Sequence, residues 1–368
     1  MKSSSGAHYI ALDHIRAFAA FLVFAWHFGH AGNGYPVPFE FTPSFFPFAL
    51  LDERHTGVAL FMTLSGYLFA KLLDGRTIDF KAFLWNRVLR LVPLLVFVFF
   101  VVGIMNLVKG EYMPSYIISL VKGVILPAWP NGGWSITVEF HFYLILPLFL
   151  WMFSKSKILP LWLVFAAILS RFLIHQLTGE VQSLAYRTIL GRVDQFALGM
   201  VVFQFRGLVT RKHLAALAFF LGFTAFYWYF DAIGGFYRNP SYPSPSMIWV
   251  FLPTIEALAY AILIAWYETS FEFSTDGISK FVGKIGEYSY SIYLLHFFVV
   301  FWFARFINEQ IMEISNFYLA CGWALIGFLL MVPVSHLSFI FIEAPFLKLR
   351  KRYLVELKNE AASAVKAS

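Results

Sequence analysis

The chain has 368 residues, of which 60% are hydrophobic, 20% aromatic and only 13% charged, with a mean hydropathy of +0.70. A soluble domain carries about 25% charged residues, so this composition excludes a soluble globular protein and indicates a polytopic membrane protein. The net charge of +7 points to no nucleic-acid partner, because the basic residues fall at the ends of apolar segments, and the single cysteine, Cys321, excludes an intrachain disulfide and a cysteine metal cluster.

Segment 9–30, YIALDHIRAFAAFLVFAWHFGH, is long enough to cross a bilayer yet carries Asp13, Arg16 and His27. An isolated arginine near a helix centre costs about 2.5 to 3.5 kcal/mol on insertion scales. Arg16 and His27 are eleven positions apart, which in a helix is three turns plus about 20° and about 16 Å of rise. They share one stripe at two depths, and that stripe is expected to face the bundle interior or a hydrated cavity. A cleavable signal peptide would put Arg16 inside its apolar region and lacks a small-residue cleavage site before Gly32, so 9–30 is read as a retained first helix.

Further apolar segments fall at 55–73, 88–108, 134–153, 158–175, 187–206, 213–231, 247–267, 286–306 and 317–342. The sequence predicts an all-α polytopic fold of roughly ten transmembrane helices. They form one membrane domain, 1–350, followed by a short basic and polar tail, 351–368. Lysine and arginine crowd the segments on the side of the N-terminus, among them Arg87, Arg90, Lys155, Arg211, Lys212 and Lys348. The opposite side holds little more than Arg54, Lys109, Lys122 and Arg238, which makes both termini cytoplasmic. Segment 115–127, with Lys122, is too short to span and reads as interfacial or re-entrant.

The outward segments 32–48 and 236–246 (FYRNPSYPSPS) are rich in Pro, Tyr and Phe. A membrane-interface aromatic belt accounts for them more simply than a sugar-binding surface does. In 57–68, GVALFMTLSGYL, the small residues Gly57, Ser65 and Gly66 let neighbouring helices approach. In 79–91, DFKAFLWNRVLRL, Phe80, Phe83, Leu84, Val88 and Leu91 form one face while Arg87 and Arg90 are neighbours on the other. Two adjacent guanidiniums either fork phosphate oxygens or anchor the helix end at the membrane surface. Glu139, about one turn into the apolar helix of 132–147 (GGWSITVEFHFYLILP), either pairs with a cation such as Arg16 or works as an acid or base.

Arg187, Arg192 and Asp194 open the next helix, the last two spaced to pair with each other. His296, in YSYSIYLLH, is a lone intramembrane histidine with either a hydrogen-bonding or a catalytic role, and Glu343 is read as ordering the end of the last helix before Pro345. The ten histidines form no HExxH-like metal set, and there is neither a Gly-rich phosphate loop nor a GxSxG elbow. For an enzyme the simplest base is therefore His27, whose ordinary pKa near 6.5 suits it to take a hydroxyl proton at neutral pH. The competing class is a transporter of a lipid-linked sugar or small solute, since intramembrane charges also mark substrate pathways. The sequence lacks the pair of broken helices in corresponding halves that points to a transporter site.

Taken together, LDHIRAFAAFLVFAWH, GVALFMTLSGYL, NRVLRLVP, WSITVEFHFYLILP, YSYSIYLLH and FIEAPFLKLR resemble, in order, the motifs of the acyltransferase type 3 family of integral-membrane O-acyltransferases. The resemblance implies a cytoplasmic acyl-CoA donor, usually acetyl-CoA, and an acceptor that is commonly a surface glycan or lipid-linked glycan. By position it implies that Arg16 and His27 are the essential pair, Arg87 and Arg90 the donor-binding arginines, and Glu139 the glutamate of the fourth helix. Asp13, Ser65, Trp134, Ser135, Tyr143 and His296 are the expected supporting residues. The chain departs from the pattern at Ala59, where the family often has an acid, at His14 in place of Gly, and at Phe140 in place of a second carboxylate. The orienting carboxylate of His27 is then expected to be Asp13 or Glu139. His27 would act as general base or as transient acyl carrier, with Arg16 stabilising oxyanion charge or positioning His27 through Glu139. No permanently bound cofactor or metal is expected. The protein is expected in a bacterial inner membrane among its lipids, without a fused esterase-like domain, so that it completes the transfer alone or with a separate periplasmic partner.

Overall fold

The computed structural model describes residues 9–30, 43, 46–74 and 76–356. Most of the aromatic-rich segment 32–48 and the end of the tail lie outside the described residues. Among the described residues the chain is mostly helical, with a single two-stranded antiparallel ribbon, β1 (Arg76–Ile78) with β2 (Leu354–Glu356).

The helices that position the site are α1 (Ile10–Gly29), α2 (Gly57–Leu73), α3 (Phe80–Val108), α4 (Met113–Lys122), α5 (Trp134–Lys155), α6 (Leu161–Thr178) and α7 (Ile189–Gln204). They are followed by α8 (His213–Ala232), α9 (Ile248–Ser270), α10 (Gly277–Glu287), α11 (Ser289–Leu295), α12 (Val300–Phe306) and α13 (Phe317–Ser338). Among the described residues, 8 helices are long and apolar enough to cross a membrane, or up to 9 when the pair Ser289–Phe298 and Val300–Ile311, bent by 58°, counts as one span. The segment expected as a sixth span is α7, with 16 residues. At 1.5 Å per residue it is about 24 Å long, short of a hydrocarbon layer of about 30 Å, and it buries Arg192, Asp194 and Gln195 inside the protein.

Close approach at glycine sets the centre of the bundle. A Cβ on Gly66 would lie 2.2 Å from the Phe196 carbonyl oxygen, and one on Gly199 would lie 2.1 Å from that of Thr63. α2 and α7 therefore touch backbone to backbone, the small-residue packing that GVALFMTLSGYL suggests. α3 starts at an N-cap, where the Asp79 side chain accepts from Ala82 N at 3.1 Å. Its arginine-bearing face turns inward, with Phe83, Asn86 and Leu94 buried, while Trp85 and Val88 are exposed. A soluble amphipathic helix would do the reverse; against lipid, apolar residues are the solvated ones and charges seek the interior.

Beyond the last helix the chain returns across the end of α3. Asn86 Nδ2 donates to Lys351 O at 2.6 Å, Lys351 N donates to Asn86 Oδ1 at 2.9 Å, and Tyr353 is buried beside Phe83.

Asp194 does not pair with Arg192. It receives Arg171 Nη2 of α6 at 2.7 Å, both side chains fully buried, whereas Arg192 Nη1 donates to Gln195 Oε1 at 2.8 Å and its Nε to Tyr186 O. Adjacent turns of one helix lose here to a cross-helix partner: among the described residues, Asp194 is the carboxylate that Arg171 hydrogen-bonds, beside Val250 O, Gly191 O and Thr254 Oγ1.

Candidate active site

The stripe of α1 feeds cavities at two depths. The first, about 120 Å³, is lined by Arg16, Ser65, Arg87, Arg90, Ser135, Glu139 and Tyr143. The second, about 300 Å³, is lined by His27, Trp26, Trp134, Tyr186, Arg187 and Phe297, with Phe236, Tyr237 and Tyr242 of the segment after α8. We refer to them as the arginine cavity and the histidine cavity.

In the arginine cavity, Arg16 forms an ion pair with Asp13, one turn earlier on α1, and Asp13 is itself buried. Glu139 lines the same space and accepts the hydroxyl proton of Tyr143. The ion pair of Arg16 thus goes to Asp13 rather than to Glu139. Arg87 stands in an aromatic cage, its Cζ 5.1 Å from the Phe69 and Phe83 ring centres, 5.7 Å from Tyr143 and 5.9 Å from Tyr353. Its Nη2 donates to the Tyr353 hydroxyl at 3.2 Å, and its Nε has no hydrogen-bond partner among the described residues. Cation–π contact holds a guanidinium without neutralising it, so Arg87 keeps both charge and a spare donor. Arg90 lies in the field of Glu343, which accepts from Ser291 and is buried at the end of the last helix.

At the other depth the imidazoles of His27 and His296 meet. His27 Nδ1 is 2.9 Å from Val23 O, and His296 Nδ1 is 3.1 Å from Ile292 O. A carbonyl oxygen only accepts, so the network assigns a proton to each Nδ1. His296 Nε2, 3.2 Å from His27 Nδ1, is then a lone pair sharing the His27 proton. His27 Nε2 is left as a lone pair on a side chain that lines the cavity, the state a general base needs. Neither Asp13 nor Glu139 lines this cavity: the side chain that contacts His27 Nδ1 is His296, and Ala59 is fully buried.

The aromatic segment after α8 is drawn over the histidine cavity. Tyr237 stacks on Trp26 with centroids 5.6 Å apart and planes 5° apart, and Tyr242 accepts from Arg187 Nη2 at 2.8 Å. Gln182 Nε2 donates to Phe236 O at 2.7 Å and Phe236 N to Glu53 Oε1 at 3.1 Å. Burial pushes the Glu53 carboxyl up to about 8, against the opposing effect of the Phe236 hydrogen bond. Trp134 lies 5.0 Å from the Tyr186 ring, with the Arg192 guanidinium 5.7 Å from its own.

Sequence reasoning missed Tyr293. Its hydroxyl accepts from Ser135 Oγ at 2.7 Å and donates to Gly132 O at 3.1 Å, and its side chain lines both cavities. The signal was present in YSYSIYLLH, where Tyr293 precedes His296 by one helical turn.

This is a helical bundle with ionisable groups converging on internal cavities, the architecture of an integral-membrane enzyme or carrier. Comparison with known proteins decides the class. The family model of the acyltransferase domain matches residues 9–337, and the chain belongs to that family: it is an integral-membrane acyltransferase. It is similar to the peptidoglycan O-acetyltransferase OatA of Listeria monocytogenes, with 27% identity over 172 residues that cover 39% of this chain and 24% of that protein. The match thus spans about a quarter of that relative's length. No solved structure matches the chain.

Proposed function

We propose that the protein transfers an acetyl group from cytoplasmic acetyl-CoA to a hydroxyl of an exported or cell-surface glycan, or of a lipid-linked glycan. In this reading both termini are cytoplasmic, domain 1–350 crosses a bacterial inner membrane ten times, with the short α7, packed inside the protein, as the crossing beyond the 9 long spans, and the arginine cavity faces the cytoplasm. The observation that carries it is the pair of cavities on one stripe of α1, cationic at the depth of Arg16 and aromatic around His27. A polyphosphate donor suits the first, since guanidiniums bind phosphate oxygens. A sugar suits the second, since flat aromatic rings accept its apolar faces.

The acceptor hydroxyl oxygen attacks the thioester carbonyl carbon while His27 Nε2 takes its proton. The carbon–sulfur bond breaks, and the proton passes from His27 to the departing sulfur, giving free CoA thiol and neutral histidine. His296 holds His27 in the required tautomer and shares the charge of the imidazolium. Arg16 lines the path of the donor in the arginine cavity, where its positive charge draws the thioester carbonyl toward the histidine cavity, and Arg87 and Arg90 hold donor phosphates.

The test is release of CoA thiol from acetyl-CoA by purified protein in nanodiscs with a mixed glycan pool. Acceptor-dependent release supports the reading; absence of release together with absence of acetyl-CoA binding returns the protein to carriage of a lipid-linked sugar. A charge-assisted hydrogen bond is worth about 1.5–3 kcal/mol, so Arg87→Ala is expected to raise the KM for acetyl-CoA about tenfold or more with a smaller change in kcat. An unchanged donor KM removes Arg87 from phosphate binding.

A further inference from the structure

The proposed reaction requires the thioester and the acceptor hydroxyl to meet, yet Arg16 and His27 line different cavities. Val58 of α2 and Tyr293 of α11 are the side chains common to both linings. They are 4% and 7% exposed, so the partition is packed rather than open. Val58 is β-branched on a helix, which leaves it essentially one side-chain rotamer. Tyr293 is fixed at its hydroxyl by Ser135 Oγ at 2.7 Å and Gly132 O at 3.1 Å, and at its ring by Phe61, 6.0 Å away edge to face. Gly132 has φ +72°, and a Cβ there would lie 3.1 Å from that hydroxyl, so the backbone at 132 is shaped to seat the phenol.

The far side of the partition leads to the base. The Tyr293 ring centre is 6.2 Å from that of His296, which is 5.0 Å from that of His27. On the near side, about 120 Å³ falls below the roughly 300–1,000 Å³ of cavities that enclose a whole ligand. A nucleotide thioester therefore enters this cavity by its acyl end, and the first protein atoms between that end and His27 belong to Val58 and Tyr293.

We infer that Val58 and Tyr293 form the acyl-length filter of the enzyme: the acyl group inserts between them to reach His27, and their bulk restricts the donor to short acyl chains. This rests on the acyl-CoA reading above. The bonds made and broken are those already written; the partition decides which acyl groups arrive at them. An apolar pocket discriminates about 10- to 200-fold per methylene, so deleting two methyl groups from the partition changes selectivity measurably.

The experiment compares acetyl-, propionyl- and butyryl-CoA as donors for the full-length protein in nanodiscs, scored by CoA thiol release. Wild type, Val58→Ala, Val58→Ile and Tyr293→Phe are assayed side by side. Val58→Ala is expected to raise the butyryl-to-acetyl ratio of kcat/KM by about tenfold, and Val58→Ile to lower the propionyl-to-acetyl ratio. Tyr293→Phe, which frees the ring from Ser135 and Gly132, shifts the ratio in the same direction as Val58→Ala. Retention of the wild-type ratios by variants that still consume acetyl-CoA overturns the filter and leaves the acyltransferase reading intact. Equal loss with all three donors also overturns it, since a merely structural role slows every donor alike. Failure of the wild type to release CoA from any donor overturns the underlying reading and the filter with it.

Discussion

Replacing His27 by alanine is expected to lower the rate of acetyl transfer by about 10²–10⁴-fold, the range that a positioned general base supplies, in a protein that still inserts and folds. The fold survives because, among the described residues, His27 hydrogen-bonds Val23 O in its own helix and His296 Nε2 and nothing else. His27→Ala leaves His296 Nε2 without that donor beside a cavity of about 300 Å³, where water can replace it. The donor KM should move little, because the arginines of the donor cavity are untouched. The measurement is CoA release under saturating acetyl-CoA, read beside the elution profile of the purified variant. Full activity in His27→Ala would sink the assignment of the base, and a protein that fails to elute as a folded species would mean that the histidine pair is structural.

How much of this was legible in the sequence depended on the range of each interaction. The stripe of Arg16 and His27 follows from helical periodicity within one segment, and both residues line cavities. The adjacency of Arg87 and Arg90 was equally local, but the direction of their face was not, because it depends on whether the surroundings are water or lipid. The contact between His27 and His296 joins positions 269 apart, and no local pattern announces it. A carboxylate was therefore expected beside His27 where an imidazole stands. Ala59 carries no acid, and Asp13 is engaged with Arg16 in the arginine cavity's wall. The aromatic segment 236–246 reads in isolation as a membrane belt. Its hydrogen bonds to Gln182 and Glu53 instead bring Phe236, Tyr237 and Tyr242 over the histidine cavity.

The longest-range feature carries the second large expectation. Arg171 and Asp194 are each fully buried, and the guanidinium is held on every side: Nε donates to Val250 O at 2.8 Å, Nη1 to Gly191 O at 2.6 Å, and Nη2 to Asp194 Oδ2 and Thr254 Oγ1, both at 2.7 Å. One side chain of α6 thereby ties α7 to α9, and α7, too short to be held by lipid along its whole length, depends on that tie. Asp194→Ala removes the countercharge and leaves a buried cation among carbonyl dipoles. Breaking a buried pair from one side costs about 3–5 kcal/mol, so the variant is expected to unfold at markedly lower SDS fraction in mixed micelles than the wild type. Arg171→Met should be similarly damaging, because it strands the carboxylate and two backbone carbonyls. The double variant Arg171→Met, Asp194→Ala removes both charges at once and is expected to be more stable than the sum of the single losses predicts, by about 0.5–3 kcal/mol. Strict additivity in that cycle would mean that the two side chains do not act as a pair, and that α7 is held by the close packing of Gly66 and Gly199 alone.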